Sequence, residues 1–252
     1  MSNSPVLALR DVSKSFGSIE VLHGVTLALE PGTVHALIGE NGAGKSTTMK
    51  IMAGYQLPTQ VDVQLDGATA RFDSLHEGEM AGIVMIHQEF NLAEQLTVEQ
   101  NIFLGRELKR GPLLDKAEMR RRTREYLDRV ACDVSPDARV STLSNSDKQM
   151  VEIAKALSRD ARVLIMDEPT AALGVQETAQ VENIIRTLKE AGEPLILISH
   201  NMRQVMDLCD RIVVFRRGRM VANLAKGDTD GQDVVAYITG AKTQPEYNFE
   251  VS

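Results

Sequence analysis

The chain has 252 residues, of which 43% are hydrophobic and 25% are charged, and these are ordinary values for a globular protein. They exclude a disordered chain, a collagen and a coiled coil. The chain has 28 basic and 35 acidic residues, and the resulting net charge of −7 argues against a large basic surface that binds nucleic acid. The most apolar runs are strand-sized, far short of the ~20 residues that a bilayer-spanning helix needs, and the first ten residues lack the pattern of a secretory signal.

Alternating hydrophobic residues predict two half-buried strands in the first quarter of the chain. The residues concerned are Val25, Leu27 and Leu29 in the first strand, and Val61, Val63 and Leu65 in the second.

A glycine-rich segment lies between the apolar strand Val34–Ile38 and the helical segment Met49–Ala53, and it fits G-x-x-x-x-G-K-[ST] at every fixed position. Glycines let backbone N–H groups close around phosphate oxygens, and the helix N-terminus adds the positive end of its dipole. We therefore expect Lys45 to reach the β- and γ-phosphates of ATP and the Ser46 hydroxyl to bind Mg²⁺. The candidate ATP-binding residues of this loop are Gly39, Glu40, Asn41, Gly42, Ala43, Gly44, Lys45, Ser46 and Thr47.

The middle of the chain, from Asn91 to about Ser158, carries no buried-strand run and is dominated by helical patterns. Asp115 and Glu118 predict a capping box that opens one of these helices. Its buried face is expected to hold Met119, Thr123, Tyr126, Leu127 and Val130. The sequence thus predicts a helical insertion that interrupts an α/β core.

The remaining strands are predicted from continuous apolar runs, which are typical of strands covered on both faces. These runs are Ile83–Ile86, Val163–Met166, Leu195–Ile198 and Ile212–Phe215. Between Val163–Met166 and Leu195–Ile198, hydrophobic residues recur with helical spacing, at Val181, Ile184, Ile185 and Leu188. Because strand, helix and strand alternate, we expect a parallel sheet with right-handed crossovers.

Two acids, Asp167 and Glu168, follow the predicted strand Val163–Met166 directly. The carboxyl edge of a parallel sheet is where such proteins bind ligands, so Asp167 is expected to hold Mg²⁺ through water. Glu168 is the candidate that orients or deprotonates an attacking water. Two acids in such a place are by themselves equally typical of a turn; the phosphate loop upstream favours the catalytic interpretation. His200 ends a further strand, and a solvent-facing loop histidine is its alternative interpretation.

Taken together, these features resemble the nucleotide-binding subunit of an ATP-binding cassette (ABC) transporter, from about Val6 to Gly240. The resemblance implies an α/β fold with a P-loop NTPase core, whose mostly parallel sheet is RecA-like. It also implies an N-terminal antiparallel β-subdomain and an inserted α-helical subdomain at about 91–158. One nucleotide-binding domain is expected over residues 5–240, followed by a loose tail over 241–252.

The same resemblance assigns roles to individual residues. Gln88 matches a glutamine that touches Mg²⁺ and the attacking water, and Phe16 matches the aromatic residue that stacks on adenine; judged without the family, Phe16 is more typical of a core residue. Glu168 and His200 match the catalytic glutamate and the switch histidine. The implied catalytic residues are therefore Glu168, His200, Gln88 and Lys45, and the implied metal ligands are Ser46, Gln88 and Asp167.

Within the family, the chain is most similar to ATPases of bacterial carbohydrate importers of the ribose, xylose and galactose type. The stretches that carry this similarity are His35–Lys45, Met85–Glu89, Asn101–Glu107, Met150–Leu157 and Asp167–Ala172. None of them is expected to contact sugar, so the substrate class rests on the resemblance alone. Many such relatives fuse two cassettes in one chain, whereas this sequence holds one.

The resemblance also implies partners. A second cassette, either identical or a paralogue, is expected to meet this one head to tail, with ATP and Mg²⁺ between them. Transmembrane permease subunits are direct partners, a periplasmic substrate-binding protein is an indirect one, and nucleic acid is not a partner. The implied location is peripheral, on the cytoplasmic side of the bacterial inner membrane.

One motif departs from the family. The signature Leu-Ser-Gly-Gly-Gln begins here with Leu143 and Ser144, but Asn145, Ser146 and Asp147 replace its last three residues. These four residues, Ser144 to Asp147, are the ones expected to face the ATP of the partner cassette. Ser144 remains a good helix N-cap. Added bulk and a carboxylate near phosphate predict weak ATP-driven closure and slow turnover. Gly174, where relatives commonly carry a polar residue, is a second departure.

Three functions stay open at this point. The first is an ATPase subunit that energises carbohydrate uptake through a permease. The altered signature motivates the second, a regulatory nucleotide-binding cassette with little turnover. The third is a soluble ATPase of the same family that acts on DNA or ribosomes, to which the acidic charge balance gives no support.

Overall fold

The computed structural model describes residues 4–59, 63–171 and 173–243. Within these residues the strands are β1 (Leu7–Phe16), β2 (Ile19–Leu29), β3 (Val34–Gly39), β4 (Val63–Leu65), β5 (Ala68–Ala70), β6 (Ile83–Ile86), β7 (Lys109–Arg110), β8 (Leu113–Leu114), β9 (Val163–Asp167), β10 (Leu195–Ile198), β11 (Arg211–Arg216) and β12 (Arg219–Ala225). The helices are α1 (Lys45–Met52), α2 (Leu75–Met80), α3 (Val98–Ile102), α4 (Lys116–Arg129), α5 (Asn145–Leu157), α6 (Val175–Glu190), α7 (Met202–Leu208) and α8 (Gly231–Thr239).

A six-stranded sheet forms the centre of the fold, in the order β12-β11-β3-β10-β9-β6. Its strands β11, β3, β10, β9 and β6 are parallel, and only the edge strand β12 runs antiparallel to its neighbour. The predicted apolar runs are confirmed as strands of this sheet, and helix α6 connects β9 to β10 as predicted. Because the strands are parallel, the ends of β3, β9 and β10 meet at one edge.

The predicted N-terminal antiparallel sheet is also confirmed, with the order β2-β1-β4-β5. Val25, Leu27 and Leu29 are buried on one face of β2 and alternate with more exposed residues. Val63 opens β4, whereas Val61 lies outside the described residues.

The hydrophobic core lies on both faces of the six-stranded sheet. On one face, Val34 and Ala36 of β3 pack with residues of α5 and α6. On the other, Leu37 packs with residues of α1 and of the N-terminal sheet. Adjacent residues of β3 point to opposite faces, so one strand contributes to both core clusters. The phosphate loop that follows β3 is thereby anchored from both sides.

The helical insertion between β6 and β9 is confirmed, with α3, α4, α5 and the short exposed hairpin β7–β8. Asp115 caps α4 by accepting a hydrogen bond from the Glu118 N–H at 3.1 Å. The predicted reciprocal half of the capping box is wrong. The Asp115 N–H donates to the Leu108 carbonyl at 2.8 Å, and the Glu118 carboxylate pairs with Arg121 and Arg122 instead.

In the parts of the chain that the structure covers, no helix has the length and hydropathy to cross a membrane. The expected loose tail extends beyond Thr243, outside the described residues.

Candidate nucleotide-binding site

The phosphate loop links the end of β3 to the start of α1, and two of its glycines cannot be replaced. At Gly39, an added Cβ would lie 2.1 Å from the Phe215 carbonyl oxygen on the neighbouring strand. Gly44 is the N-cap of α1 with φ 107°, a conformation that residues with a Cβ rarely adopt. No side chain caps α1. The N–H groups of its first turn are therefore open to an anion.

Lys45 is buried at the centre of the loop, with 6% of its surface exposed. Its ammonium donates to the carbonyls of Gly39 at 2.8 Å and Glu40 at 2.9 Å. Burial lowers the pKa of Lys45, whereas the charges of Glu168 and Asp167 raise it. A buried ammonium whose hydrogen-bond partners are neutral carbonyls is suited to bind a phosphate group.

Asp167 and Glu168 stand at the end of β9, where Asp167 pairs with Ile198 of β10. Burial raises the pKa of Asp167, the like charge of Glu168 raises it further, and Lys45 lowers it. Glu168 has φ 49°, an uncommon conformation for a non-glycine residue, of the kind found at functional sites.

His200 follows β10 and places its Nε2 2.9 Å from the Glu168 carboxylate. The side chain is half exposed, as expected of a solvent-facing loop histidine, and it also contacts the candidate catalytic glutamate. The pair lies in a cavity of ≈ 450 Å³ at the carboxyl edge of the sheet. That cavity is lined by Val21, Asn41, Gly42, Ala43, Gly44, Lys45, Ser46, Thr47, Gln88, Asp167, Glu168, Ile198 and His200. The cavity thus brings together Asn41 to Thr47 of the phosphate loop, the two acids, Gln88 and His200, whereas the predicted loop residues Gly39 and Glu40 do not line it.

Phe16 is placed differently. It ends β1 with 49% of its surface exposed, so the core interpretation is wrong. The ammonium of Lys14 lies 5.0 Å from its ring centroid. Phe16 does not line the cavity around the phosphate loop. An exposed ring at the end of a strand is available for stacking, which is the role that the resemblance implies.

The altered signature segment forms the start of α5. Ser144 is the N-cap: its Oγ accepts from the Asp147 N–H at 3.1 Å and donates to the Asp147 carboxylate at 2.7 Å. The predicted capping by Ser144 is confirmed. Asp147 is thus turned towards the N-terminus of its own helix, where the helix dipole favours a negative charge.

The donor set at the cavity fits Mg²⁺ with a bound nucleotide. Oxygen ligands suit Mg²⁺, and the ion usually takes one or two carboxylates together with substrate phosphates. Asp167, the Ser46 hydroxyl and the Gln88 amide supply such oxygens around one cavity. Among the described residues, no group of three or more His, Cys, Asp and Glu side chains could hold a metal ion.

Sequence reasoning did not anticipate the neighbour of Gln88. His87 makes a hydrogen bond of 2.7 Å between its Nε2 and the hydroxyl of Tyr55, and the two rings are 84° apart. Tyr55 follows α1, so this contact ties the end of the phosphate-loop helix to the segment that carries Gln88. The two residues are 32 positions apart and belong to no shared motif, so no signal in the sequence could have paired them.

A parallel sheet that ends in a glycine-rich phosphate loop and two acids defines a P-loop nucleotide-binding protein. The sequence matches the family described as ABC transporter over residues 22–171, and the chain belongs to that family.

Three relatives illustrate the match. The ribose import ATP-binding protein RbsA 2 of Escherichia coli O157:H7 is 40% identical over 250 residues, 99% of this chain and 49% of the relative. The ribose import ATP-binding protein RbsA of Chromobacterium violaceum is 44% identical over 96% of this chain and 48% of the relative. A putative ribose/galactose/methyl galactoside import ATP-binding protein of Burkholderia ambifaria is 44% identical over 96% and 47%. The chain spans about half the length of these relatives.

Solved structures share the fold. A nucleotide-free ATP-binding cassette from an ABC transporter has a TM-score of 0.80 at 23% identity, covering 94% of this chain and 95% of the other. A dimeric post-hydrolysis cassette bound to ADP and Pi has a TM-score of 0.76 at 24% identity, covering 87% and 98%. These likenesses confirm the predicted P-loop NTPase architecture.

Proposed function

We propose that this chain binds and hydrolyses ATP and thereby energises the uptake of a monosaccharide-type carbohydrate through a separate membrane permease. One observation carries the ATPase proposal: the phosphate loop, Asp167, Glu168, His200 and Gln88 line one cavity. The carbohydrate class is supported by three relatives, at 40–44% identity, whose names describe ribose or galactose import.

In this proposal the phosphate loop supplies binding and electrostatic stabilisation. The open N–H groups at the start of α1 and the ammonium of Lys45 hold the β- and γ-phosphates. Lys45 would exchange its two carbonyl partners for phosphate oxygens, since its charge is only partly satisfied by neutral acceptors. Phe16 stacks on the adenine ring.

Ser46, Gln88 and Asp167 hold Mg²⁺, and the bound ion would neutralise the charge that develops on the phosphates. Burial and the charge of Glu168 raise the pKa of Asp167, and a nearby cation would favour the ionised carboxylate.

Glu168 orients and deprotonates the attacking water, and His200 holds the Glu168 carboxylate in place through the 2.9 Å contact. Because a carboxylate accepts protons and an amide does not, Glu168 is the residue whose replacement by glutamine separates ATP binding from ATP hydrolysis.

We further propose a head-to-tail pair of cassettes, in which Ser144, Asn145, Ser146 and Asp147 face the ATP of the partner cassette. The pair would work on permease subunits at the cytoplasmic face of the bacterial inner membrane, and a periplasmic substrate-binding protein would act indirectly. The domain is assigned to residues 5–240. Neither the geometry of the cavity nor the relatives support the alternative of a regulatory cassette, since Lys45, Asp167 and Glu168 are all in place.

The test is ATP hydrolysis by the purified chain, alone and reconstituted with a carbohydrate-importer permease. We expect Mg²⁺-dependent phosphate release that rises on reconstitution, and carbohydrate accumulation in vesicles loaded with ATP. A folded chain that releases no phosphate under either condition contradicts the ATPase proposal. Hydrolysis without carbohydrate uptake contradicts only the assignment of the substrate.

A further inference from the structure

Helix α5 buries a polar face. Gln149, Glu152 and Lys155 are spaced three residues apart, so they lie on one side of the helix, and only 5%, 7% and 6% of their surfaces are exposed. Lysine and glutamate are almost never fully buried unless they are paired. We call these three residues the polar face of α5. Its burial requires polar partners on whatever packs against it.

The main partner of the polar face is the segment that contains Gln88. The Lys155 ammonium donates to the Asn91 carbonyl at 2.6 Å, across 64 positions of sequence. The Asn91 N–H interacts with the Glu152 carboxylate. Helix α5 therefore holds the backbone carbonyl of Asn91, three positions after Gln88, through a buried ammonium.

The charges of this contact depend on one another. Burial raises the pKa of Glu152, and the charge of Lys155 and the Asn91 N–H lower it. Burial lowers the pKa of Lys155, and the charge of Glu152 raises it. Removing either side chain leaves the other buried without its opposite charge, which weakens the hold on Asn91.

The polar face also reaches the catalytic edge of the sheet. Gln149 lines a second cavity, of ≈ 500 Å³, together with Gln88, Glu89, Phe90, Glu168, Pro169, Ala171 and Leu173. Gln88 and Glu168 line the nucleotide cavity as well, so the two cavities adjoin. Within the described residues, Nε2 of Gln149 and Oε1 of Glu152 are buried and have no hydrogen-bond partner. A buried amide donor at this place can bond to a water or to a carbonyl of the loop beside it.

We infer that the polar face of α5 positions residues 87–91 through the hydrogen bond from Lys155 to the Asn91 carbonyl, so that Lys155, together with the opposite charge of Glu152, is a positioning residue for Gln88 at the nucleotide cavity. At the other end of the segment, the hydroxyl of Tyr55, which follows α1, makes a hydrogen bond of 2.7 Å with His87. The consequence for catalysis rests on the proposed role of Gln88, whereas the hold on Asn91 does not depend on any activity.

The first experiment measures amide hydrogen exchange of residues 87–91 in the nucleotide-free chain. In Lys155→Met, we expect these amides to exchange roughly tenfold faster than in the parent, because the hydrogen bond that holds the Asn91 carbonyl is lost. Lys155→Arg keeps the charge and should restore most of the protection. The matched control is Glu94→Gln, which removes an exposed ion pair of 2.9 Å between α5 and the same connecting segment without touching Asn91. Equal exchange in Lys155→Met and in the parent overturns the inference.

The second experiment separates positioning from mere structural support. In Lys155→Met, kcat for ATP hydrolysis should fall roughly tenfold while the Kd for a fluorescent ATP analogue stays within about twofold, since the residue is remote from the phosphate loop. Glu94→Gln should change neither value. Faster exchange with unchanged kcat would show that the contact does not position Gln88. If Lys155→Met does not fold, the milder Glu152→Gln is measured in the same way. A parent chain without ATPase activity contradicts the proposed function, and the exchange experiment still decides whether the polar face holds residues 87–91.

Discussion

The starts of α1 and α5 show two ways to build a helix N-terminus. At α1, Gly44 provides the N-cap and no side chain caps the first turn, so its N–H groups are open. At α5, the Ser144 hydroxyl already binds the N–H of Asp147, and the Asp147 carboxylate lies at the same end of the helix. The free N–H groups of an open helix N-terminus attract an anion. At a capped terminus, the capping hydroxyl and the helix's own carboxylate already satisfy part of the N–H groups and of the dipole. The difference predicts that ATP binding depends strongly on the α1 end and weakly on the α5 end.

The largest effect is expected at the α1 end. Lys45→Ala removes the buried ammonium that faces the phosphates, and loss of such a contact typically lowers kcat by about 10²–10³-fold. We expect turnover to fall by at least that factor. The fold should remain, because Lys45 contacts loop carbonyls and does not pack in the core. Phosphate release and thermal unfolding are measured on the same preparation. A folded variant that releases phosphate at the parent's rate would show that Lys45 does not belong to the nucleotide site.

Glu168→Gln tests the next step, the activation of water. We expect hydrolysis to fall by about 10²–10⁴-fold while ATP stays bound, because an amide cannot accept the proton of the attacking water. Bound ATP that is not consumed should favour the paired cassettes, seen by light scattering as a larger species with Mg²⁺-ATP than without it. Hydrolysis at the parent's rate would show that another group is the base.

His35 lies on β3, the strand that leads to the phosphate loop and α1, and its burial predicts that the stability of the fold depends on pH. The side chain is fully buried, neither ring nitrogen has a hydrogen-bond partner among the described residues, and burial lowers its pKa to about 4. In the unfolded chain the histidine binds a proton below about pH 6.5. The folded state therefore loses stability as the pH falls from about 6.5 to about 4, by roughly 3 kcal/mol.

His35→Leu should lack this part of the pH dependence, since leucine does not titrate. Urea unfolding of the parent and the variant at pH 7 and at pH 4.5 measures the difference. Equal slopes of stability against pH in the two proteins would show that His35 binds its proton equally well in the folded chain.

The signature segment should give a smaller effect. Replacing Asn145 and Ser146 by glycine and Asp147 by glutamine removes bulk and a carboxylate from the α5 end. We expect ATPase activity to rise by about tenfold, equivalent to roughly 1.4 kcal/mol. The slow turnover of the parent, predicted from the sequence, stays a prediction until this is measured. If the triple variant is no faster than the parent, these three residues do not limit the reaction.

Ser144→Ala should have the smallest effect. It removes the N-cap of α5, and such a loss typically costs about 1 kcal/mol of stability. We expect the midpoint of urea unfolding to decrease accordingly, while ATP affinity at the α1 end is unchanged. Lowered ATP affinity in the isolated chain would mean that the two helix ends are coupled within one molecule.

The sequence predicts these regions unequally, and the reason is physical. The phosphate loop and the acids after β9 follow from local motifs, because Gly39 and Lys45 act through the backbone geometry of a short segment. The polar face of α5 has no such local signature. In the sequence, Glu152 and Lys155 have the spacing of an exposed ion pair, and only the packing of residues 87–91 shows that they are buried.

Two further expectations failed for the same reason. Without the family, Phe16 is more typical of the core, yet the end of β1 projects it into solvent. The spacing of Asp115 and Glu118 predicts a complete capping box, but Leu108 accepts the hydrogen bond of the Asp115 N–H and two arginines bind the Glu118 carboxylate. In each case a partner distant in sequence or a competing charge decided the outcome, and local patterns do not contain that information.

The central claim is that the α1 end and Asp167 together form a site for Mg²⁺-ATP. Calorimetric titration of ATP into the purified chain, with and without Mg²⁺ and again with Asp167→Asn, tests it most directly. The account predicts one ATP bound per chain, with an affinity that falls by about tenfold or more when either Mg²⁺ or the Asp167 carboxylate is removed. Removing both Mg²⁺ and the Asp167 carboxylate should lower the ATP affinity no further than removing one of them. An affinity that is the same in all four titrations, or no binding by the folded parent, would contradict the claim.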